Sequence, residues 1–275
     1  MPSHAAPDQT PDRLAPWKRW VCHVGYASEG MVYLLVGFFA MLAAMGQHRE
    51  PNGSKGALTG LGATPLGKGL LLFLAIGLSA FVLWELLVAF TDPEHPDDRG
   101  NRRVWARVSH VLNGLLHSVL VGQALWILLG LAASDEKQSQ ENWTARGMAL
   151  PAGREAVGLV GIGILIFGAW QFYRAFSGDK NKRVDLRHTP LRPVIGALGI
   201  YGLSARGVLF GLVGLYLLNA YWYREPRYSA GIAGALGALK QRPAGPWLLG
   251  IVAAGLMSYG LFQISKERYR RMGDS

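Results

Sequence analysis

The sequence predicts an all-α integral membrane protein whose six transmembrane helices form three repeats. Half of its 275 residues are apolar and only 17% are charged. The charged residues collect in short segments, and the apolar runs between them are long enough as helices to cross a hydrocarbon core of about 30 Å. The runs also recur in pairs with one spacing of glycine, aromatic and polar residues. We therefore expect the lipid bilayer to be the main partner of the chain.

Proline residues support the boundaries of the predicted helices. Pro65, Pro151 and Pro243 each stand just before the second helix of a pair, and Pro193 opens the fifth helix. Proline is tolerated in the first turn of a helix and breaks a helix interior. The predicted helices span, to within a few residues, 20–46, 66–90, 104–132, 154–176, 194–221 and 244–265.

The second, fourth and sixth helices carry one motif. In each, a Pro-x-Gly segment is followed at identical spacings by glycine, two aromatic residues and a polar residue. These residues are Gly77, Phe81, Trp84 and Glu85 in the first copy, Gly163, Phe167, Trp170 and Gln171 in the second, and Gly255, Tyr259, Phe262 and Gln263 in the third. Agreement at a fixed period indicates internal repeats.

The first, third and fifth helices also align with one another. Each has a glycine followed three residues later by an aromatic residue or a histidine: Gly30 with Tyr33, Gly114 with His117, and Gly207 with Phe210. The chain therefore divides into a disordered tail at 1–16 and three two-helix repeats at 17–98, 99–185 and 186–275. Because each repeat crosses the membrane twice, the copies are parallel, which predicts a pseudo-threefold arrangement about the membrane normal.

The positive charges predict the orientation in the membrane. Seventeen of the 28 lysine and arginine residues fall in or beside the two tails and the segments between repeats. Positive residues mark cytoplasmic segments, so both termini are predicted to be cytoplasmic. The three loops on the other side, at 54–64, 142–150 and 229–241, are too short to span a membrane. We expect them to form short helices at the membrane interface, with re-entrant segments as the alternative.

The composition excludes several classes of function. The net charge of +10 is divided among the loops without an aromatic stacking surface, which argues against nucleic acid as a partner. Cys22 is the only cysteine, so an intramolecular disulfide and a cysteine-based metal site are excluded. Phosphate-loop, zinc-protease and serine-hydrolase motifs are absent from the sequence. We therefore predict a protein without enzymatic activity, metal or cofactor.

Glu29, Asn113 and Arg206 occupy one equivalent position, directly before the shared glycine of each odd-numbered helix. A charge near the centre of a membrane helix costs about 2.5–3.5 kcal/mol, so two opposite charges at one depth are expected to pair. In one interpretation Glu29 and Arg206 form a buried ion pair with Asn113 as a hydrogen-bonding neighbour. In the other, the three residues line a polar path for protons or a small solute.

A second polar ring is predicted at the cytoplasmic ends of the even-numbered helices. Its members are Glu85, Gln171 and Gln263, each of which directly follows an aromatic residue. We expect an interfacial belt, in which the rings lie among the headgroups and the polar side chains reach water. A cytoplasmic vestibule that selects a cation is the alternative.

Three histidines lie in apolar runs: His23, His110 and His117. Two of them could ligate haem if their imidazoles faced each other across the bundle. His117 replaces an aromatic residue of the other copies, which favours a packing or hydrogen-bonding role.

These motifs resemble a bacterial multi-pass membrane family known as a domain of unknown function. Its pattern is a helix pair occurring three times, with small-small-Arg-Gly-x-x-Tyr in the odd helices and Gly-x-x-x-aromatic-x-x-Trp ending the even ones. The likeness is carried by 25–33, 77–90, 163–176, 202–210 and 255–263 and extends over nearly all of the chain from residue 17 to 271. Glu29 departs from the pattern, which has arginine there. The resemblance implies the fold and a location in the bacterial cytoplasmic (inner) membrane, and it implies no activity.

Three functions remain open from the sequence. Glycine-rich helices and short loops favour a non-enzymatic accessory or scaffold subunit, with other membrane-protein subunits or a second copy of the chain as partners. The parallel repeats and the position shared by Glu29, Asn113 and Arg206 favour a small-solute or ion transporter or channel. A haem-binding redox subunit is the lesser alternative.

Overall fold

A computed structural model describes residues 16–46, 54–62, 65–91, 101–131, 136–177, 189–229 and 231–268. Within these ranges the ordered elements are all helical. The helices are α1 (Pro16–Ala44), α2 (Ser54–Gly62), α3 (Pro65–Thr91), α4 (Asn101–Leu128), α5 (Glu136–Met148), α6 (Gly153–Phe176), α7 (Arg192–Tyr223), a 3-10 turn (Pro226–Tyr228), α8 (Ile232–Lys240) and α9 (Gly245–Arg268). The predicted tail at 1–16 lies outside the described residues, apart from Pro16 at the start of α1.

Each of the six predicted long helices is present, as α1, α3, α4, α6, α7 and α9. Five of them contain a segment long and apolar enough to cross a membrane: His23–Ala44, Pro65–Phe90, Gly153–Phe176, Arg192–Tyr223 and Gly245–Ser265. In α4 the apolar segment among the described residues is Asn113–Leu128. The protein is therefore a multi-pass membrane protein.

Short helices occupy the three loops, as the sequence predicted. α2 and α8 fall within the predicted loops, whereas α5 begins at Glu136, six residues before the predicted segment. The added residues are Glu, Lys, Gln, Ser, Gln and Glu, of which most are good helix formers, and no glycine or proline interrupts them. The start of α5 is thus set by the helix propensity of these residues rather than by the apolar pattern.

Equivalent residues also end and begin the long helices. Gly46 and Gly130 have φ of +80° and +72° after α1 and α4, the left-handed conformation with which glycine commonly ends a helix. Ala152 and Ala244, in the Pro-Ala-Gly segments before α6 and α9, share a positive φ of 56° and 58°. At each of these helix ends the motif therefore specifies the same local backbone in two of the three copies.

Within the first and third repeats, the two long helices pack backbone to backbone. A Cβ at Gly25 of α1 would lie 2.7 Å from Cα of Phe81 in α3, and one at Gly202 of α7 would lie 2.5 Å from N of Tyr259 in α9. These two contacts are equivalent under the repeat. Close approach through small residues is how membrane helices gain contact area in the absence of a hydrophobic driving force.

Glycines also join the repeats to one another. A Cβ at Gly30 of α1 would lie 2.7 Å from the carbonyl oxygen of Gly260 in α9, and one at Gly207 of α7 would lie 3.0 Å from that of Gly168 in α6. The third contact is looser, since a Cβ at Gly114 of α4 would lie 3.4 Å from Cβ of Glu85 in α3. The packed neighbours therefore run in the order α4, α3, α1, α9, α7, α6.

The second repeat differs because its own two helices, α4 and α6, do not form a packed pair over the residues described. Leu116 of α4 is 49% exposed, whereas its equivalents Val32 and Leu209 are buried. Trp170 of α6 is 48% exposed, whereas Trp84 in the equivalent position is 1% exposed. A groove therefore opens between α4 and α6.

Glycines of the even-numbered helices show the same difference between the repeats. In the first and third repeats, Gly77 or Gly255 sits so close to Ser28 or Ala205 of the odd helix that even an added Cβ would collide. The equivalent glycine of α6 is Gly163, where an added Cβ would meet no atom within 4 Å. The second repeat therefore lacks the close approach between its two long helices.

Substituting Gly202 by Ala is expected to lower the free energy of unfolding by about 1–3 kcal/mol, because the new methyl group would overlap the backbone of α9. Gly211→Ala in the same helix is the matched control, since a Cβ there meets no atom within 4 Å. That control should be neutral or stabilising, by up to about 1 kcal/mol. Denaturation of both variants in detergent micelles measures the difference, and equal effects would contradict the packing described.

Candidate functional site

The three residues that precede the shared glycines meet inside the bundle. Glu29 of α1 and Arg206 of α7 are buried, at 1% and 3% exposure, and Asn113 of α4 is half-buried. Nη1 of Arg206 lies 3.7 Å from Oε1 of Glu29. Nη2 of Arg206 lies 3.5 Å from Oδ1 of Asn113, a long contact. The three residues that align in the repeats are therefore close together in the structure, as an ion pair with an asparagine amide beside it.

Side chains of α9 complete the surroundings of the Glu29 carboxylate. Nε2 of Gln263 donates a hydrogen bond to Oε2 of Glu29 at 2.5 Å. The hydroxyl of Tyr259 donates to Oε1 at 3.1 Å. Both carboxylate oxygens are therefore satisfied by donors that carry no charge, and Arg206 supplies the compensating charge.

Arg206 is held by hydrogen bonds and by aromatic rings. Its Nη1 donates to the hydroxyl of Tyr259 at 2.5 Å. With the amide of Gln171 oriented to satisfy both groups, the Gln171 oxygen accepts from Nε and Nη1 of Arg206 at 3.2 and 3.1 Å. Four ring centroids lie within 6 Å of its Cζ, those of Tyr33, Phe167, Phe210 and Tyr259. Such cation–π contacts strengthen when the cation is desolvated.

His117 of α4 joins this cluster from the side of Glu29. Its Nδ1 lies 2.8 Å from the carbonyl oxygen of Asn113, and since a carbonyl can only accept, Nδ1 carries the hydrogen. Nε2 then faces Oε1 of Glu29 at 4.0 Å. The ring also packs edge-on against Phe81, with centroids 4.7 Å apart. His117 is therefore both a packing residue, as its alignment with Tyr33 and Phe210 suggests, and a neighbour of the carboxylate.

We call these residues the central polar cluster: Glu29, Asn113, His117, Gln171, Arg206, Tyr259 and Gln263. They come from α1, α4, α6, α7 and α9. Its chemistry is that of an ion pair whose donors and acceptors are largely matched.

The predicted interfacial belt is wrong. Gln171 and Gln263 are 0% and 5% exposed and belong to the central polar cluster. Glu85 is 2% exposed, and its Oε2 accepts a hydrogen bond from Nδ1 of His110 at 2.7 Å. None of the three polar side chains reaches water. In α6, Trp170 is 48% exposed, and a rotation of about 100° turns the next residue, Gln171, toward the bundle interior. In the other two copies the aromatic residue is buried as well, with Trp84 and Phe262 each 1% exposed.

The three histidines differ in their surroundings. The side chain of His23 is exposed on α1. Nδ1 of His110 and of His117 is bonded to a protein oxygen. Both residues lie on one face of α4, so their imidazoles do not face each other across the bundle, as ligation of one haem by both would require. Within the described parts of the chain, no cluster of three or more His, Cys, Asp or Glu side chains is arranged to hold a metal ion.

Sequence reasoning missed the role of Tyr259 and the inward orientation of the two glutamines. The signal that could have found them is the spacing of Tyr259 with Gln263, and of Phe167 with Gln171. Residues four apart share a helix face. An aromatic residue and a glutamine on one face, beside a predicted buried ion pair, form a suitable second layer around it.

Long apolar helices, internal repeats and a buried ion pair define this chain as a multi-pass membrane protein of repeated helix pairs. It belongs to the family described as Domain of Unknown Function (DUF1206), which matches three segments, 24–92, 108–178 and 201–270. The resemblance found in the sequence is thereby confirmed. The chain is also similar to "Uncharacterized protein YxxB" of Bacillus subtilis (strain 168), with 31% identity over 260 residues, 94% of this chain and 93% of the relative. No solved structure matches.

Proposed function

We propose that this protein is a non-enzymatic accessory or scaffold subunit of an assembly in the bacterial inner membrane. The observation that supports this is the pairing within the central polar cluster. Both oxygens of Glu29 accept hydrogen bonds from α9, and Arg206 is enclosed by aromatic rings and amide oxygens. Because these charged groups are paired inside the bundle, they specify which helices pack together. A bundle with a fixed helix arrangement is well suited to hold other subunits in an assembly.

The proposed architecture has six membrane crossings in pseudo-threefold arrangement, with both termini in the cytoplasm. Support for the arrangement comes from the equivalent contacts of Gly30 with Gly260 and of Gly207 with Gly168. At about 1.5 Å per residue, the 28 residues of α4 are long enough to cross a bilayer. The orientation is supported by the excess of lysine and arginine on one side.

A proton or small-ion transporter is the second candidate. It is favoured by one observation, the approach of His117 Nε2 to the Glu29 carboxylate at 4.0 Å. A second carboxylate–imidazole pair, Glu85 with His110, lies seven residues earlier on the same face of α4. Two such pairs, about 10 Å apart along the helix, could pass a proton from one end of the bundle to its centre.

One set of measurements separates the two candidates. The full chain is purified gently for native electrophoresis, and separately placed in proteoliposomes that contain a pH-sensitive dye. A scaffold is expected to migrate with other membrane subunits at fixed stoichiometry and to leave the proton leak at the level of empty vesicles. Proton flux that His117→Phe abolishes and Trp170→Phe retains would overturn the scaffold proposal, because phenylalanine conserves the packing of the His117 position.

A further inference from the structure

The groove between α4 and α6 has apolar walls. We define the α4–α6 groove by Leu116 of α4 and by Gly163, Phe167, Trp170 and Arg174 of α6. The four α6 residues recur at intervals of three or four, so they share one helix face. In the first repeat the equivalent residues of α3, from Gly77 to Val88, are buried against α1. Here a Cβ at Gly163 would meet no atom within 4 Å.

The groove extends toward the central polar cluster. Phe167 is half-buried, whereas its equivalents Phe81 and Tyr259 are 0% and 3% exposed. Its ring lies 5.6 Å from Cζ of Arg206 and 5.1 Å from the ring of Phe210. Phe167 therefore belongs both to the groove and to the aromatic rings around the buried guanidinium.

One end of the groove carries a positive charge. Arg174 lies one turn beyond Trp170 on α6, near the end of that helix, and is half-buried. Trp170 stacks on Tyr173, with centroids 5.1 Å apart. Paired aromatic rings next to an arginine at the end of a membrane helix are typical of the headgroup level. A ligand of matching chemistry has an apolar body and an anionic end.

We propose that the α4–α6 groove binds one anionic glycerophospholipid. An acyl chain lies between the helices against Leu116, Gly163 and Phe167, and the phosphate lies beside the guanidinium of Arg174. Arginine matches phosphate in charge and in hydrogen-bond geometry, and basic pockets between membrane helices bind anionic headgroups. A second copy of the chain is a poorer match for the groove. It would place another apolar helix and another arginine there, and Arg174 would have no anion to pair with. The proposal does not depend on the scaffold function.

The test measures lipid binding to the purified full chain by native mass spectrometry, with phosphatidylglycerol and phosphatidylcholine of matched acyl chains. The wild-type protein is expected to bind one phosphatidylglycerol at least about tenfold more tightly than phosphatidylcholine, as one charge-assisted contact predicts. Arg174→Gln should remove this preference. Arg192→Gln, which changes an exposed arginine at the start of α7, should retain it.

A second variant tests the position of the acyl chain. Leu116→Trp adds bulk at a side chain that is 49% exposed, so it should fold normally while filling the groove. Binding of both lipids is expected to fall, with the melting temperature unchanged in lipid-free micelles. Equal binding of the two lipids, full binding by Arg174→Gln, or a polypeptide that occupies the groove in place of lipid would overturn the proposal.

Discussion

Arg206→Gln is expected to lower the free energy of unfolding by about 3–5 kcal/mol, because it leaves the Glu29 carboxylate buried without its counter-charge. The substitution also removes a cation from four aromatic rings. Unfolding in mixed micelles, followed by circular dichroism, measures the loss. Arg192→Gln is the control, expected within about 0.5 kcal/mol of the wild type because that side chain is exposed.

The pairing itself is tested by adding Glu29→Gln to form a double-mutant cycle. Each single change leaves one buried charge uncompensated, whereas the double change leaves two neutral amides. The double variant is therefore expected to lose much less stability than the sum of the two single variants. Additive losses would show that Glu29 and Arg206 do not stabilise one another.

Trp84→Ala is expected to lower the free energy of unfolding by about 3–5 kcal/mol, since it deletes a large side chain that is 1% exposed. Trp170→Ala is the matched change at the equivalent position of the second repeat. It should cost about 1 kcal/mol or less, because Trp170 borders the open groove and is 48% exposed.

The comparison of the two tryptophans reports directly on the asymmetry of the repeats. Thermal melting of both variants in the same detergent provides the measurement. Similar losses would mean that α6 packs on α4 as α3 packs on α1, and the groove would then be absent from the folded protein.

The helices and the central ion pair could be predicted from the sequence because both rest on spacing. Repeated proline and glycine residues locate the helix starts, and alignment puts Glu29 and Arg206 at one depth before any packing is known. Spacing does not show how each helix is rotated about its own axis, and so it does not show which of its faces points to the bundle interior. Gln171 follows Trp170 by one residue, and that single step separates a side chain at the surface from one at the centre of the bundle.

The groove was also outside the reach of sequence reasoning. Gly163 of α6 aligns with Gly77 and Gly255, so the motif alone predicts the same packing in all three repeats. An added Cβ would collide with the odd helix at Gly77 and Gly255, but it would meet no atom within 4 Å at Gly163. This difference is a property of the assembled backbones, which the alignment does not show.

The acid and the base of the central ion pair come from different copies of the helix pair, Glu29 from the first and Arg206 from the third. The first and third repeats therefore cannot replace one another in the bundle. Under the proposed pseudo-threefold arrangement, three copies of the first unit would bring three carboxylates together, and three copies of the third would bring three guanidinium groups together. Like charges repel, so the central ion pair requires two different units, which a single polypeptide supplies in a fixed ratio.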